Sequence, residues 1–310
     1  MGVFVFLPLV LPLTAWPVAR LAAQHLHPRT ATRLLTALAA VMATCSTVCL
    51  ALLMVVGTAQ LPGNPLPDGW SDPEVRAAVP YDEVAGRAAV PALLVVLAAC
   101  TGTLWRHRRV RRRGHAALSG LPDTEVAVLP DGEPYAYALP GGPRDRVVVT
   151  TALLAHLRSA ERRALFAHER AHLAARHHRY LLTVRLAARA NPFLCPLRAA
   201  VAYTTERWAD EAAAEAVGSR RVVARAIGRA ALVSRGTPVP TLAGLAAPGP
   251  VPRRVAALLA PAPVTRAWPS AFTAVGLAAW TAAAGTALSA LSSANSAVTL
   301  ALVLRAATPL

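Results

Sequence analysis

The apolar residues of this chain are gathered into long blocks and are not spread evenly. Three blocks precede residue 106, and they cover residues 3–23, 34–59 and 88–105. Each block is close to the ~20 residues that a helix needs to cross a bilayer. The pattern therefore predicts three membrane-spanning helices within residues 1–105, with an extracytoplasmic loop at residues 60–87.

A fourth apolar block follows residue 266. Residues 269–291 are long enough for one span, residues 292–296 form a polar break, and residues 297–304 are too short to cross a bilayer alone. We predict one transmembrane segment and a tail within residues 267–310. A hairpin that returns to its starting side is the alternative.

The middle of the chain, residues 106–266, is charged and has the length of one ordinary domain. The whole chain is 55% hydrophobic and has a mean hydropathy of +0.43, which is too apolar for an ordinary soluble domain. The predicted fold is a mainly α polytopic membrane protein that carries one polar domain between its third and fourth spans.

The chain has a net charge of +16, and its densest group of basic residues, at 106–113, directly follows an apolar block. The position of this group indicates the orientation of the chain in the membrane. Arginines next to a span hold that end of the helix on the cytoplasmic side. The loop at 24–33 is also basic, whereas the loop at 60–87 is mainly acidic. We therefore predict a multi-pass protein of the cell membrane whose polar domain is cytoplasmic and whose basic clusters face the lipid bilayer. Nucleic acid is not an expected partner.

The four cysteines have neither the spacing of a zinc site nor that of a disulfide framework. Three of them lie in apolar blocks, so they are expected to be small buried hydrophobic residues.

The strongest local motif is H-E-x-x-H, formed by His168, Glu169 and His172. Residues four apart lie on the same face of a helix, so both imidazoles could reach one Zn²⁺ ion. Glu169, offset by one position, could then act as general base. The sequence supports a helix here, with Ser159 as a plausible N-cap and no Pro or Gly before Pro192.

A catalytic zinc site needs a third protein ligand, and the next polar helix supplies a candidate. Glu206 is the predicted ligand, and Asp210 lies one turn further on the same face, where it could accept a hydrogen bond from a zinc-bound histidine. Spacing alone leaves an alternative, in which both acids lie on a solvated helix face and pair with Arg207 or Arg220.

H-E-R-A-H followed about 34 residues later by E-x-x-x-D resembles the gluzincin-type membrane peptidases of families M48 and M56. The match extends to the segments at 136–141 and 146–150, which resemble the paired short strands of these families, and to 176–178, which resembles the polar end of the active-site helix. The resemblance covers roughly residues 120–235. The arrangement of the spans favours M56 over M48.

The resemblance implies an α+β zinc peptidase domain with a small β-sheet and active-site helices. It implies that His168, His172 and Glu206 bind zinc, that Glu169 is the general base and that Asp210 supports a ligand. The expected activity is a zinc metalloendopeptidase that cleaves a cytoplasmic or membrane protein, such as a transcriptional repressor. A non-catalytic membrane receptor or scaffold that retains the fold is the alternative.

A substrate strand could add to an edge formed by residues 135–139 or 146–150. His177, His178 and Tyr203 are candidate oxyanion donors, although each is more often structural in such a position.

Overall fold

The computed structural model describes residues 7–59, 82–234, 250–263, 270 and 272–306. Most of the predicted extracytoplasmic loop, residues 60–81, lies outside the described residues, as do the last four residues of the predicted tail. The described part is mainly helical and contains one small sheet. The helices are α1 (Leu7–Val10), α2 (Ala15–His25), α3 (Pro28–Ala59), α4 (Asp82–Ala117), α5 (Thr151–His156), α6 (Ser159–Ala174), α7 (His177–Ala190), α8 (Cys195–Val217), α9 (Arg220–Val233), α10 (Val251–Leu259) and α11 (Ala274–Ala306).

Within the described residues, three helices are long and apolar enough to cross a membrane: Pro28–Ala59, Val84–Ala117 and Gly276–Ala306. They contain the second and third predicted spans and overlap the fourth from residue 276 onward. The described part of the first predicted span, from Leu7, is instead divided into α1, a 3₁₀ turn at Leu11–Thr14 and α2. Pro12 lies at the start of that turn and cannot donate a backbone hydrogen bond, which accounts for the interruption. That this segment crosses the membrane stays a prediction.

Helix α4 does not end where its apolar block ends at residue 105. It continues through the arginine cluster to Ala117, so its 36 residues span about 54 Å at ~1.5 Å per residue. Arginine is a good helix former, which explains why the cluster prolongs the helix and does not form a linker. The predicted boundary between residues 105 and 106 therefore lies inside one helix.

Helix α11 corrects the prediction for the C-terminal region. The polar residues at 292–296 do not interrupt the helix, which is continuous from Ala274 to Ala306, and the hairpin alternative is wrong. Ser289, Ser293 and Ser296 are buried, and their spacing places them on one face of the helix. The small polar side chains lie on the packed side of the helix, so they are shielded and do not break it.

Helices α3 and α4 approach each other most closely at Gly57 and Gly86. A Cβ atom added to Gly57 would overlap the backbone carbonyl carbon of Gly86. Glycine is needed here because the backbones are in contact, which is a common way of packing membrane helices.

The substitution Gly57→Leu should therefore force α3 and α4 apart and lower the free energy of unfolding by about 2 kcal/mol or more. Thermal unfolding of the full chain in detergent micelles would measure this. Gly102→Leu, on the partner helix α4, is the control, because a Cβ there meets no atom within 4 Å. Equal unfolding temperatures for the two variants would contradict the packing.

The sheet has three short strands, β1 (Val126–Leu129), β2 (Ala136–Leu139) and β3 (Arg146–Thr150), in the order β1-β3-β2. Strand β3 is central and pairs parallel with β1 and antiparallel with β2. The two strands expected at 136–141 and 146–150 are thus confirmed as a pair, and β1 was not predicted. Since β3 is paired on both sides, the proposed docking edge at 146–150 is wrong, and β1 and β2 are the two edge strands.

The polar helices are attached to α3 by buried polar contacts. Thr32 donates a hydrogen bond to Thr204 at 2.9 Å, and the amide of Asn191 donates to the Ser46 hydroxyl at 3.0 Å. An apolar cluster from α2, α3, α7 and α8 surrounds these contacts. Helix α8 is therefore held against an apolar helix, which defines the position of its acidic residues.

Candidate functional site

Helix α6 carries the H-E-x-x-H residues, and its start is defined by Glu161. The Glu161 carboxylate accepts a hydrogen bond from the backbone N–H of Arg158 at 2.9 Å and is paired with Arg229 at 3.0 Å. The N-cap is thus Arg158, and the predicted N-cap Ser159 is the first residue of the helix. Glu161 is the third residue of the helix, and its carboxylate satisfies a backbone N–H that has no partner within the helix. Its ion pair with Arg229 orients α6 against α9.

Helices α6 and α8 bring the three predicted ligands together. The Nε2 atoms of His168 and His172 are 3.1 Å apart, and each lies 3.5 Å from a carboxylate oxygen of Glu206. Small buried residues, Ala164 on α6 and Ala213 on α8, belong to the core beside the site and allow the helices to approach. The structure thus places the two imidazoles of α6 beside the carboxylate of Glu206, which lies 34 positions after His172 in the sequence.

The spacing of these atoms fits a tetrahedral metal ion. Two ligand atoms held at about 2.0–2.1 Å from a tetrahedral zinc lie about 3.3–3.4 Å apart. The three observed separations, 3.1–3.5 Å, bracket that value. In the part of the chain that the structure describes, this is the group of His, Cys, Asp and Glu side chains that could hold a metal, and its ligand atoms all lie within 4.8 Å of one another.

Asp210, one turn after Glu206 on α8, lies beside His168. Its Oδ1 atom lies 3.1 Å from Nδ1 of His168, and its side chain is fully buried. Burial alone would lower the pKa of His168, but hydrogen bonds to Asp210 and Glu206 raise it to about 10. A cation bound between these residues would take the place of that proton.

His177 supports the other imidazole, a role that the sequence did not indicate. Its Nδ1 atom lies 3.0 Å from Nδ1 of His172, which leaves Nε2 of His172 directed at the predicted metal position. Burial, followed by the charge of His172, lowers the pKa of His177 to about 2, so its ring is neutral and its Nδ1 atom can accept a hydrogen bond from the Nδ1–H of His172. This contact would orient a metal-bound ring.

A backbone turn brings His177 into place. The active-site helix was expected to continue through residues 176–178, but α6 ends at Ala174 and α7 begins at His177. Arg176 between them has a left-handed φ of 54°, which is uncommon for a residue other than glycine. The turn redirects the chain so that His177 packs back on His172 and on Trp208 of α8.

Arg254, on α10, is the largest addition to the predicted site. Its guanidinium donates to both oxygens of Asp210, at 2.8 and 2.6 Å, and lies 2.8 Å from Glu206. Only 6% of the residue is exposed. No metal-ligand or catalytic motif surrounds Arg254, and one arginine among many carries no signal in the sequence.

The ion pairs also decide between the two readings of the acids on α8. Arg207 and Arg220 both pair with Glu211, at 2.7 and 2.8 Å. Glu206 and Asp210 are buried beside the imidazoles instead. The alternative in which these two acids form a solvated face is therefore wrong.

Glu169 lies beside the histidines and faces the edge of the sheet. It is 9% exposed, and its carboxylate accepts a hydrogen bond from the backbone N–H of Ala138 on β2. Burial raises the pKa of Glu169 to about 7. A carboxylate with a pKa near neutrality is suited to both accepting and donating a proton.

The site opens into a cleft of about 490 Å³ between β2, α4, α6, α7 and α9. His168, Glu169, His172 and Glu206 line its centre, and the edge strand β2 lines one wall. Of the candidate oxyanion donors, His178 lines the cleft. Tyr203 packs under Arg253 at 4.6 Å and His177 lies behind His172, and neither is among the lining residues.

Comparison with known proteins agrees with this geometry in part. Residues 103–207 match the family model described as peptidase family M48, a stretch that includes both histidines, Glu169 and Glu206. The match supports the M48 family and indicates a membrane-associated metallopeptidase. The finer assignment to M56 is not confirmed. No curated protein and no solved structure matches the chain.

Proposed function

We propose that this chain is a membrane-embedded zinc metalloendopeptidase that hydrolyses peptide bonds of a cytoplasmic or membrane protein. The observation that carries the proposal is the convergence of His168, His172 and Glu206 at separations of 3.1–3.5 Å, with Glu169 beside them in an open cleft. Two imidazoles, one carboxylate and an adjacent buried acid are the donor set of a catalytic zinc site that keeps an open position.

The chain's own residues would divide the reaction as follows. Zinc, when bound, supplies Lewis acidity toward the substrate carbonyl and lowers the pKa of water. Glu169 takes a proton from the attacking water and delivers it to the nitrogen of the leaving amine. Asp210 and His177 hold the two imidazoles in the orientation that presents Nε2 to the ion.

Strand β2 gives the substrate a place to bind. It is one of the two edge strands of the sheet, and it lines the same cleft as Glu169. An extended peptide added to this edge would form backbone hydrogen bonds with β2 and lie across the centre of the site. The hydrogen bond from Ala138 to Glu169 would place the cleaved bond close to this position on the strand.

The location of the activity follows from the arginines of α4. Five of them, Arg106, Arg108, Arg109, Arg112 and Arg113, are exposed on the part of the helix beyond the apolar block. By the positive-inside rule this end and the polar domain face the cytoplasm. A cytoplasmic protein, for example a transcriptional repressor, is the proposed substrate.

Metal dependence provides the test. The purified full chain in detergent micelles should cleave an unfolded protein, lose this activity after treatment with a chelator and regain it with about one equivalent of Zn²⁺. Fragments would be followed by mass spectrometry, and bound metal by elemental analysis. Cleavage that continues at full rate in the metal-free protein would overturn the proposal.

A further inference from the structure

The cleft has two chemically different ends. Near the start of β2 it is lined by α9 residues, with Ala226, Ile227 and Ala230 forming an apolar wall. Near the end of β2 it is lined by two basic pairs, His107 and Arg111 of α4 and His178 and Arg185 of α7. We call these four residues the basic subsite.

The spacing of these four residues along α4 and α7 places them on the helix faces that line the cleft. His107 and Arg111 are four residues apart on α4, so they lie on one face, and the exposed arginines of the same helix lie elsewhere. On α7, His178 and Arg185 are seven residues apart, again on one face, with Leu181 and Leu182 between them in the cleft wall. Two helices thus present their basic residues to the same space.

The four residues of the basic subsite are half-buried. Burial, followed by the charge of Arg111, lowers the pKa of His178 to about 4, although Asp145 acts in the opposite direction. The ring of His178 is therefore neutral at pH 7, and Arg111 and Arg185 supply the positive charge of the subsite. A guanidinium that is partly shielded from water forms strong, charge-assisted hydrogen bonds with a carboxylate.

The direction of β2 predicts which side of the cleaved bond lies at the basic subsite. Ser234, which follows α9, donates to the carbonyl of Pro134 at one end, and Arg111 donates to the carbonyl of Pro140 at the other, with Ala138 at Glu169 between them. A strand that pairs antiparallel with β2 runs from the Pro140 end to the Pro134 end. Antiparallel pairing is the more stable arrangement. The amino-terminal side of the substrate would therefore lie at the basic subsite.

We propose that the basic subsite binds an acidic side chain of the substrate, two or three residues on the amino side of the cleaved bond. The inference rests on the proposed peptidase function and adds a substrate class to it. A peptide is the ligand, not a lipid headgroup, because these four residues line the same cavity as His168 and Glu169, whereas the exposed arginines of α4 are placed to meet lipid.

The test uses the full chain in detergent micelles with peptide pairs that differ only by Asp or Asn at successive positions on the amino side of the cleaved bond. The Asp peptide should have a KM about tenfold lower, and the difference should shrink at high salt. Arg111→Gln and Arg185→Gln should each bring the ratio close to one. Arg112→Gln, which removes an exposed arginine of α4, should leave it unchanged.

Reversing the charge of one residue of the basic subsite distinguishes recognition of the substrate side chain from a loss of structure. Arg185→Glu should reverse the preference, so that a Lys peptide is bound better than its Asp counterpart. A variant that is merely misfolded would bind both peptides weakly and show no reversal. A reversed preference supports the subsite, and an Arg185→Glu variant that still prefers the Asp peptide as the wild type does overturns it.

A binding measurement tests the basic subsite independently of the proposed peptidase activity. The Glu169→Gln variant should bind the Asp peptide about tenfold more tightly than the Asn peptide, as measured by fluorescence anisotropy. If the wild-type chain cleaves no peptide, the proposed function fails, while this comparison still decides the subsite. Equal affinities, a preference on the carboxyl side of the bond, or arginine-dependent binding only to phosphatidylglycerol nanodiscs would each overturn the inference.

Discussion

Replacement of Glu169 by Gln is expected to lower the rate of peptide cleavage by about a thousandfold, because general acid–base catalysis contributes about 10²–10⁴ to such rates. The amide has the size of the carboxyl group, and its oxygen can still accept the hydrogen bond from Ala138. It cannot accept a proton from water at neutral pH. The variant should therefore keep its fold and its metal and lose its chemistry.

The measurement is kcat on a cleaved peptide, together with the zinc content of the same sample. Glu215→Gln is a suitable control, because Glu215 is exposed on α8 and lies away from the cleft. The control should retain full activity. Normal turnover by the Glu169→Gln variant would remove Glu169 from the mechanism, and loss of zinc in that variant would assign it a structural role.

Replacement of Arg254 by Met should destabilise the metal-free protein by about 3–5 kcal/mol, the typical cost of breaking a buried ion pair. The guanidinium neutralises two buried carboxylates, Glu206 and Asp210, and attaches α10 to α8. In its absence both acids would be left beside a single protonated histidine. Zinc would partly replace the lost charge at Glu206, so the loss should be smaller in the zinc-loaded protein.

Chemical denaturation of the chain in micelles, with and without zinc, measures both values. Arg253→Met is the matched control, since Arg253 is the exposed neighbour that stacks on Tyr203. It should cost no more than about 1 kcal/mol. If zinc made no difference to the destabilisation of the Arg254→Met variant, the metal and the guanidinium would not share Glu206.

A series of ring contacts connects the site to helix α3. Arg29 and Arg33 of α3 lie over Trp208, whose ring packs against His177, which in turn contacts His172. The imidazole on α6 is thus connected to an apolar helix through a chain of ring contacts. The site is therefore built against a helix that is long and apolar enough to cross a membrane.

The sequence by itself determined the features that depend on local periodicity. The apolar blocks at 34–59 and 88–105 predicted long apolar helices, because a bilayer sets the length of such a block. The four-residue spacing of His168 and His172 placed both imidazoles on one helix face, and the same rule placed Asp210 with Glu206. These relations hold within one helix and need no knowledge of its neighbours.

Only the tertiary structure decided which other elements contact the helix face that carries His168 and His172. Arg254 reaches Asp210 from 44 residues away, and nothing near it in the sequence distinguishes it from the other arginines. The turn at Arg176 directs His177 onto His172, and β3 is central because it pairs with β1 on one side and β2 on the other, which leaves β2 with a free edge. Such choices depend on buried charge, backbone conformation and pairing between distant segments, none of which has a periodic signature in the sequence.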